Sequence, residues 1–221
     1  MEISLIIISS ILIGYLIGSI PNAVIIGKVF FKKDVRDFGS KNAGGTNAGR
    51  VFGKKVGLIV IVLDIIKTII PIYLVYFILL NTSLSQYEMQ NIGYSLSGIF
   101  ALIGHCFPIY TNFRGGKAVS SFAGIIIATN WLFIIIGLVL FMLILKIKKM
   151  VSLASITTSF VLAVCSFLII LLPNNFSMII GKNDIFYSLL ISVSALILIY
   201  RHKENIKRLI NHEERKITWL K

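Results

Sequence analysis

The chain has 221 residues, 57% apolar and 14% charged, with a formal net charge of +13 and a mean hydropathy of +0.90. That is a membrane composition, and it excludes as the default the soluble nucleic-acid binder that the charge alone would suggest. Basic residues in such a protein first mark cytoplasmic loops, so only clustering beyond that expectation points to an anionic ligand.

The first apolar run covers residues 4–27. No basic segment precedes it, and Gly18-Ser19-Ile20-Pro21 stands where a cleavage site would be, so it reads as a retained helix and not a signal peptide. Gly14, Gly18 and Pro21 imply close helix packing and a bend. Further runs occupy residues 56–80, 94–110, 119–146, 150–172 and 184–200, most of them matching the ~20 residues needed to cross ~30 Å of hydrocarbon. Asp64 and Lys67 lie at i, i+3 within the second run, where isolated charge is costly. They are expected to pair, either as a structural bridge or as a cavity lining. His105 and Cys106, near the inner end of the third run, read as packing residues. Cys106 and Cys165 have neither the number nor the spacing of a disulfide framework or a zinc site.

The run 119–146 decides the topology. As one span it would leave ten basic residues outside. As two short helices hinged near Thr129-Asn130-Trp131, it lets one face collect eight, two, three and seven basic residues, twenty in all, and leaves only Lys182 on the other. The positive-inside rule prefers the second arrangement. The expectation is therefore an all-α, polytopic membrane bundle of seven transmembrane helices, N-terminus outside and C-terminus cytoplasmic, forming a single domain over residues 1–221. Its fourth and fifth helices are expected to be short. A helix over 119–129 rises only about 17 Å and cannot cross alone; such a half-helix survives where protein or a watery cavity covers its ends.

Three basic patches then fall on the cytoplasmic side. The first, residues 28–55, has the core Gly39-Ser40-Lys41-Asn42-Ala43-Gly44-Gly45-Thr46-Asn47-Ala48-Gly49-Arg50. Glycines let the backbone approach a ligand and aim N–H groups at it, Ser40, Asn42, Thr46 and Asn47 add neutral donors, and Arg50 adds a two-pronged cation. This is phosphate-binding chemistry without the Gly-Lys-Ser/Thr of a nucleotide P-loop. The second patch, Asn112-Phe113-Arg114-Gly115-Gly116-Lys117, leads into the half-helix, whose free N–H groups and positive dipole end favour an anion. The third is the tail, where His202, Asn205 and Leu209 share a helical face, so that a His and an Asn could orient a hydroxyl. Lys32, Lys33, Lys54, Lys55, Lys146, Lys148 and Lys149 read as topology determinants near headgroups.

The runs Gly18-Ser19-Ile20-Pro21, Asp34-x-Arg36, Gly39-Ser40-x-Asn42-x-Gly44-x-Thr46-Asn47-x-x-Arg50, Gly104-His105-x-Phe107-Pro108 with Arg114-Gly115-Gly116-Lys117, and His202-x-x-Asn205-Ile206-x-Arg208-Leu209 together resemble the bacterial acyl-phosphate:glycerol-3-phosphate acyltransferase family, PlsY. The resemblance implies an integral cell-membrane enzyme of seven helices, its active site facing the cytoplasm. Such an enzyme moves an acyl chain from acyl phosphate to the sn-1 hydroxyl of glycerol 3-phosphate, giving lysophosphatidic acid for phospholipid synthesis. It implies neither acyl-CoA nor acyl carrier protein as donor, no cofactor or metal, and a monomer. By motif position Ser40, Arg50 and Lys117 hold phosphate, and the glycines of both loops, Gly44, Gly115 and Gly116 among them, cradle it. His202 and Asn205 orient the glycerol, and Glu214 takes a structural place in the tail. Three departures stand out: Lys41, Ala118 and His212 occupy positions where the family usually has glycine.

Catalysis by such a site is orientation and charge stabilisation, since the mixed anhydride is already activated. Either His202 or a phosphate oxygen of the substrate can take the hydroxyl proton. The competing reading is a small transporter or flippase for an anionic lipid or phosphorylated solute. It needs a continuous polar path through the helices, for which Asp64 and Lys67 are the main material.

Overall fold

The computed structural model describes residues 2–80, 87–170 and 185–217, and among them every regular element is helical. The chain forms two compact units, residues 1–125 and 126–221.

The first unit contains α1 (Glu2–Gly18), α2 (Asn22–Phe31), α3 (Gly45–Phe52), α4 (Lys54–Leu80), α5 (Tyr87–Cys106) and the start of α6 (Val119–Thr129). Small residues set its packing. Gly14 and Gly18 of α1 lie on the backbone of Ser97 and Ala101 of α5, while Gly104 lies 2.5 Å, measured from an added Cβ, from the Tyr15 carbonyl oxygen. A side chain at any of the three would overlap backbone, so these two helices approach as closely as helices can. The bend expected at Pro21 is present, with α1 ending at Gly18 and α2 starting at Asn22. The break leaves the Ile20 carbonyl outside the helical ladders of α1 and α2, and Lys67 Nζ of α4 donates to it at 2.6 Å. Lys67 also pairs with Asp64 Oδ1 at 3.0 Å, and Asn22 Nδ2 donates to that oxygen at 2.9 Å. The two charges are 1% and 6% exposed. Of the two readings left open by the sequence, the geometry supports the structural one: the pair stitches a broken first span to α4.

The apolar surface is turned outward, as hydrocarbon requires. On α4, Leu58 and Ile59 are exposed while Asp64, Lys67 and Thr68 are buried. Short α3, which the loop reading of residues 28–55 did not foresee, lies on the start of α4, with Gly45 and Gly49 against Gly57.

The second unit holds α7 (Trp131–Lys148), α8 (Val151–Ile170), α9 (Ile185–Arg201) and α10 (Lys203–Ile210). The hinge expected near Asn130 is there: its Oδ1 accepts from the backbone N–H of Leu132 and Phe133 at 3.0 and 3.1 Å, capping α7. The expected shortness of the fifth helix is not found. α7 has 18 residues, about 27 Å of rise. The apolar run stops at Lys146, but lysines suit a helix C-terminus, so the helix carries Lys146 and Lys148 in its last turn before Lys149 closes it at φ 56°. Phe133 meets Tyr187 of α9 edge-on at 5.6 Å. Ser188 Oγ donates to the Ser166 carbonyl of α8 at 2.8 Å, and the tail returns so that Ile217 N–H bonds the Lys149 carbonyl at 2.7 Å.

Among the described residues five segments are long and apolar enough to cross a membrane: Ile3–Phe31, Lys54–Leu80, Asn91–Thr111, Trp131–Lys148 and Val151–Ile170. A sixth appears if Ile185–Arg201 is taken with Lys203–Ile210 across their 62° bend. α6, with 11 residues, is too short alone. Residues 171–172 and 184 of the expected spans, and Lys182 between them, lie outside the described residues.

Candidate active site

In the first unit two loops are built around two side chains. Asn47 of α3 is 1% exposed. Its Oδ1 accepts the Ser40 N–H at 2.7 Å, and its Nδ2 donates to the carbonyls of Val35, Phe38 and Asn42 at 2.9, 3.1 and 3.0 Å. Gly39 completes the clamp: its φ is +61°, and a Cβ there would overlap Asn47 Oδ1. The amide of Asn47, expected among the substrate-binding groups, is thus occupied in shaping the Ser40–Asn42 turn. Around it Ser40, Asn42 and Gly44 are half-buried, and Thr46 and Arg50, one turn apart on α3, are exposed. Gly44 caps α3, whose positive end therefore lies beside the same loop.

Arg36 is the second organiser. Its Nε and NH2 take both oxygens of Asp34 at 3.0 and 2.8 Å, and its NH1 donates to the Thr111 carbonyl at 3.1 Å. One guanidinium therefore ties the first glycine-rich loop to the second. Hydrogen bonding to Arg36 holds the Asp34 carboxyl below its usual range, against the opposing effect of burial. The i, i+2 spacing of Asp34-x-Arg36 suits such a local bidentate pair.

The second loop folds back on the end of α5. Gly116 N–H donates to the His105 carbonyl at 2.9 Å, and the nearest atoms to an added Gly116 Cβ are the Nε2, Cε1 and Cδ2 of the His105 ring. Gly115 lies as closely on the His105 and Cys106 carbonyls and on Pro108. Lys117 follows, half-buried, and then Ala118, buried at φ 67°, opens α6. All three glycine departures of the sequence have positive φ: Lys41 at 56°, Ala118 at 67° and His212 at 60°. Glycine is usual there because the left-handed conformation costs an L-residue about 1 kcal/mol or more.

The second unit carries the tail residues. His202, 3% exposed, sits between α9 and α10 with Nδ1 2.8 Å from the Leu198 carbonyl. A carbonyl can only accept, so Nδ1 carries a proton; in the neutral form of the ring the lone pair is then on Nε2. Asn205 Nδ2 donates to Glu214 Oε1 at 2.9 Å and Arg208 Nε to Glu214 Oε2 at 3.0 Å. Glu214 is thus the structural hub expected of it. Burial pushes its carboxyl up, and the hydrogen bonds from Asn205 and Arg208 act against this, so that it stands below the usual value.

Residues 8–212 match the family model of glycerol-3-phosphate acyltransferase. The chain is 43% identical to the glycerol-3-phosphate acyltransferase of Listeria monocytogenes serotype 4a over the full length of both. It is 38% identical to that of Staphylococcus aureus strain Newman, covering 97% of this chain and 99% of the relative. Its fold is similar to the crystal structure of PlsY (YgiH), an integral membrane glycerol 3-phosphate acyltransferase, in the glycerol 3-phosphate form, with a TM-score of 0.78, 27% identity and 96% of each chain covered. The lysophosphatidic acid form gives a TM-score of 0.75 at the same identity. A family match over nearly the whole chain, with relatives that align end to end, means that the chain belongs to the glycerol-3-phosphate acyltransferase family.

Proposed function

We propose that the protein transfers an acyl chain from acyl phosphate to the sn-1 hydroxyl of glycerol 3-phosphate. The products are lysophosphatidic acid and inorganic phosphate. The observation that carries this reading is the Arg36 tie, which holds two glycine-rich, cationic loops together in one unit. Ser40, Asn42, Thr46 and Arg50 from the first loop and Gly115, Gly116 and Lys117 from the second supply N–H groups, hydroxyls and cations to phosphate oxygens. Asn47 contributes by fixing the turn that presents Ser40.

The second unit is assigned the hydroxyl. His202 Nε2 accepts from it, and Asn205, its amide oriented by Glu214, positions the glycerol. As the hydroxyl oxygen attacks, the new ester C–O bond forms, the acyl carbon–phosphate oxygen bond breaks, and phosphate leaves with the electron pair. The hydroxyl proton passes to His202 or to a phosphate oxygen. Because the anhydride is activated, orientation and charge stabilisation suffice, and no cofactor or metal is invoked.

Residues 1–221 act as one acyltransferase domain in the bacterial cytoplasmic membrane, as a monomer. α6 counts as a seventh membrane segment, the N-terminus lies outside and the basic loops face the cytoplasm. The transporter reading loses its material once Asp64 and Lys67 are spent on the first-span break. The test is purified protein with palmitoyl phosphate and glycerol 3-phosphate, measuring lysophosphatidate, with palmitoyl-CoA as a parallel donor. Product from the phosphate donor alone is expected. Product from the CoA donor at a matching rate removes the donor assignment, and none from either removes the activity.

A further inference from the structure

His105 is 5% exposed and its ring is enclosed on two sides. On one side Nδ1 lies 3.8 Å from Asp64 Oδ1, beyond hydrogen-bond length. Asp64 itself is held in place by Lys67 and Asn22, at 3.0 and 2.9 Å. On the other side lies the Gly115–Gly116 backbone. The three heavy atoms that an added Gly116 Cβ would meet all belong to the His105 ring, and Gly116 N–H is bonded to the His105 carbonyl at 2.9 Å. The second loop therefore rests on a buried imidazole, and that imidazole rests on a buried ion pair anchored to α4 and to the break in the first span.

We infer that His105 is a positioning residue for one substrate phosphate: its ring is the surface on which the Gly115–Gly116 backbone lies, and it thereby sets where Lys117 stands. This rests on the reading of Lys117 as a phosphate ligand. A side chain that only filled the core would affect both substrates and the fold alike. A residue that sets one phosphate contact shifts the affinity for the substrate held there, and does so through the glycine it touches. Glycine at 116 is then required by the ring, and removing the ring relaxes that requirement.

The experiment is a double-mutant cycle of His105→Ala and Gly116→Ala in the full-length protein in detergent, with His105→Gln as a variant that keeps more of the side chain's volume. KM for glycerol 3-phosphate and for palmitoyl phosphate, kcat and Tm are measured for each. Each single alanine change is expected to raise KM for the same one of the two phosphate substrates by about tenfold, about 1.4 kcal/mol, with KM for the other within about twofold. Gly116→Ala is expected to add less than about twofold in the His105→Ala background, because the ring it would strike is gone. His105→Gln should fall between the wild type and His105→Ala. Fold changes that multiply in the double variant, or KM values for both substrates rising together, overturn the inference, as does His105→Gln with unaltered KM if His105→Ala does not fold. Lys117→Ala separates the two layers. Normal turnover in that variant removes the phosphate site and this inference with it, whereas a dead Lys117→Ala beside multiplicative His105 and Gly116 effects removes the inference alone.

Discussion

The Ser40–Asn42 turn of the first unit and the tail of the second are each held by one side chain that gathers several bonds, but the two holders differ in charge. Asn47 is a neutral amide, buried, with bonds to four backbone groups. Glu214 is a carboxylate with bonds to the side chains of Asn205 and Arg208. A neutral amide fixes backbone shape and is indifferent to pH. A carboxylate fixes side-chain direction and lasts only while it is ionised. The Ser40–Asn42 turn is therefore a shape held by a glycine and one amide, and the tail is a charge-dependent arrangement of functional groups.

The largest effect should come from the group the loop exists to present. Lys117→Ala is expected to lower kcat/KM by roughly 10²–10³-fold with membrane insertion intact, measured on protein extracted from membranes; near-normal turnover would take the cation out of the chemistry. Next is the amide beneath the other loop. Asn47→Ala leaves the Ser40 N–H and three carbonyls without their partner, and should cost about 3 kcal/mol of stability, read from thermal unfolding in detergent. A change below about 0.5 kcal/mol would make Asn47 an ordinary surface-type substitution and dissolve the clamp.

The tail should respond more mildly, and to acid. Glu214 is held below its usual value of 4.5 in the folded protein, so its ionised form stabilises the tail above that pH. The contribution is lost as pH falls through the lowered value. Exchange of the Glu213 N–H, bonded to the Arg208 carbonyl at 2.7 Å, should speed up over that acid range in the wild type. Glu214→Gln should lack the acid step and be about 1 kcal/mol less stable at neutral pH. An acid step of equal size in both proteins would place the titrating group elsewhere. The smallest effect is a gain: Ala118→Gly relieves φ 67° and should stabilise by about 0.5–1 kcal/mol after the extra freedom of unfolded glycine is subtracted. Loss of stability there would show that the buried methyl contributes more by packing than its conformation costs.

Much of this was readable along the chain because it follows from local chemistry. The apolar runs gave the spans, Asn130 gave the hinge through its own cap, and i, i+3 spacing gave the Asp64–Lys67 pair. The basic, glycine- and amide-rich patches were legible as clusters, and in the tail His202 precedes α10 while Asn205 lies within it. What escaped were the partners far apart in sequence. Arg36 reaches Thr111 across 75 positions, and no period or spacing reports such a bond. His105 read as a packing residue and is buried, but nothing in its neighbourhood of sequence shows Asp64 on one side of it and Gly116 on the other. Asn47 looked like a ligand because a donor's direction is set by the backbone around it, not by its type.

By itself, then, the sequence determined the membrane character, the helices and the chemical inventory, since hydrophobic length, turn residues and donor types act within a few positions of themselves. Only the tertiary structure decided the division of labour within that inventory. A buried polar group must find a partner wherever the fold brings one, and so Asn47 and His105 lie under the loops and Arg36 between them, while Thr46 and Arg50 are exposed.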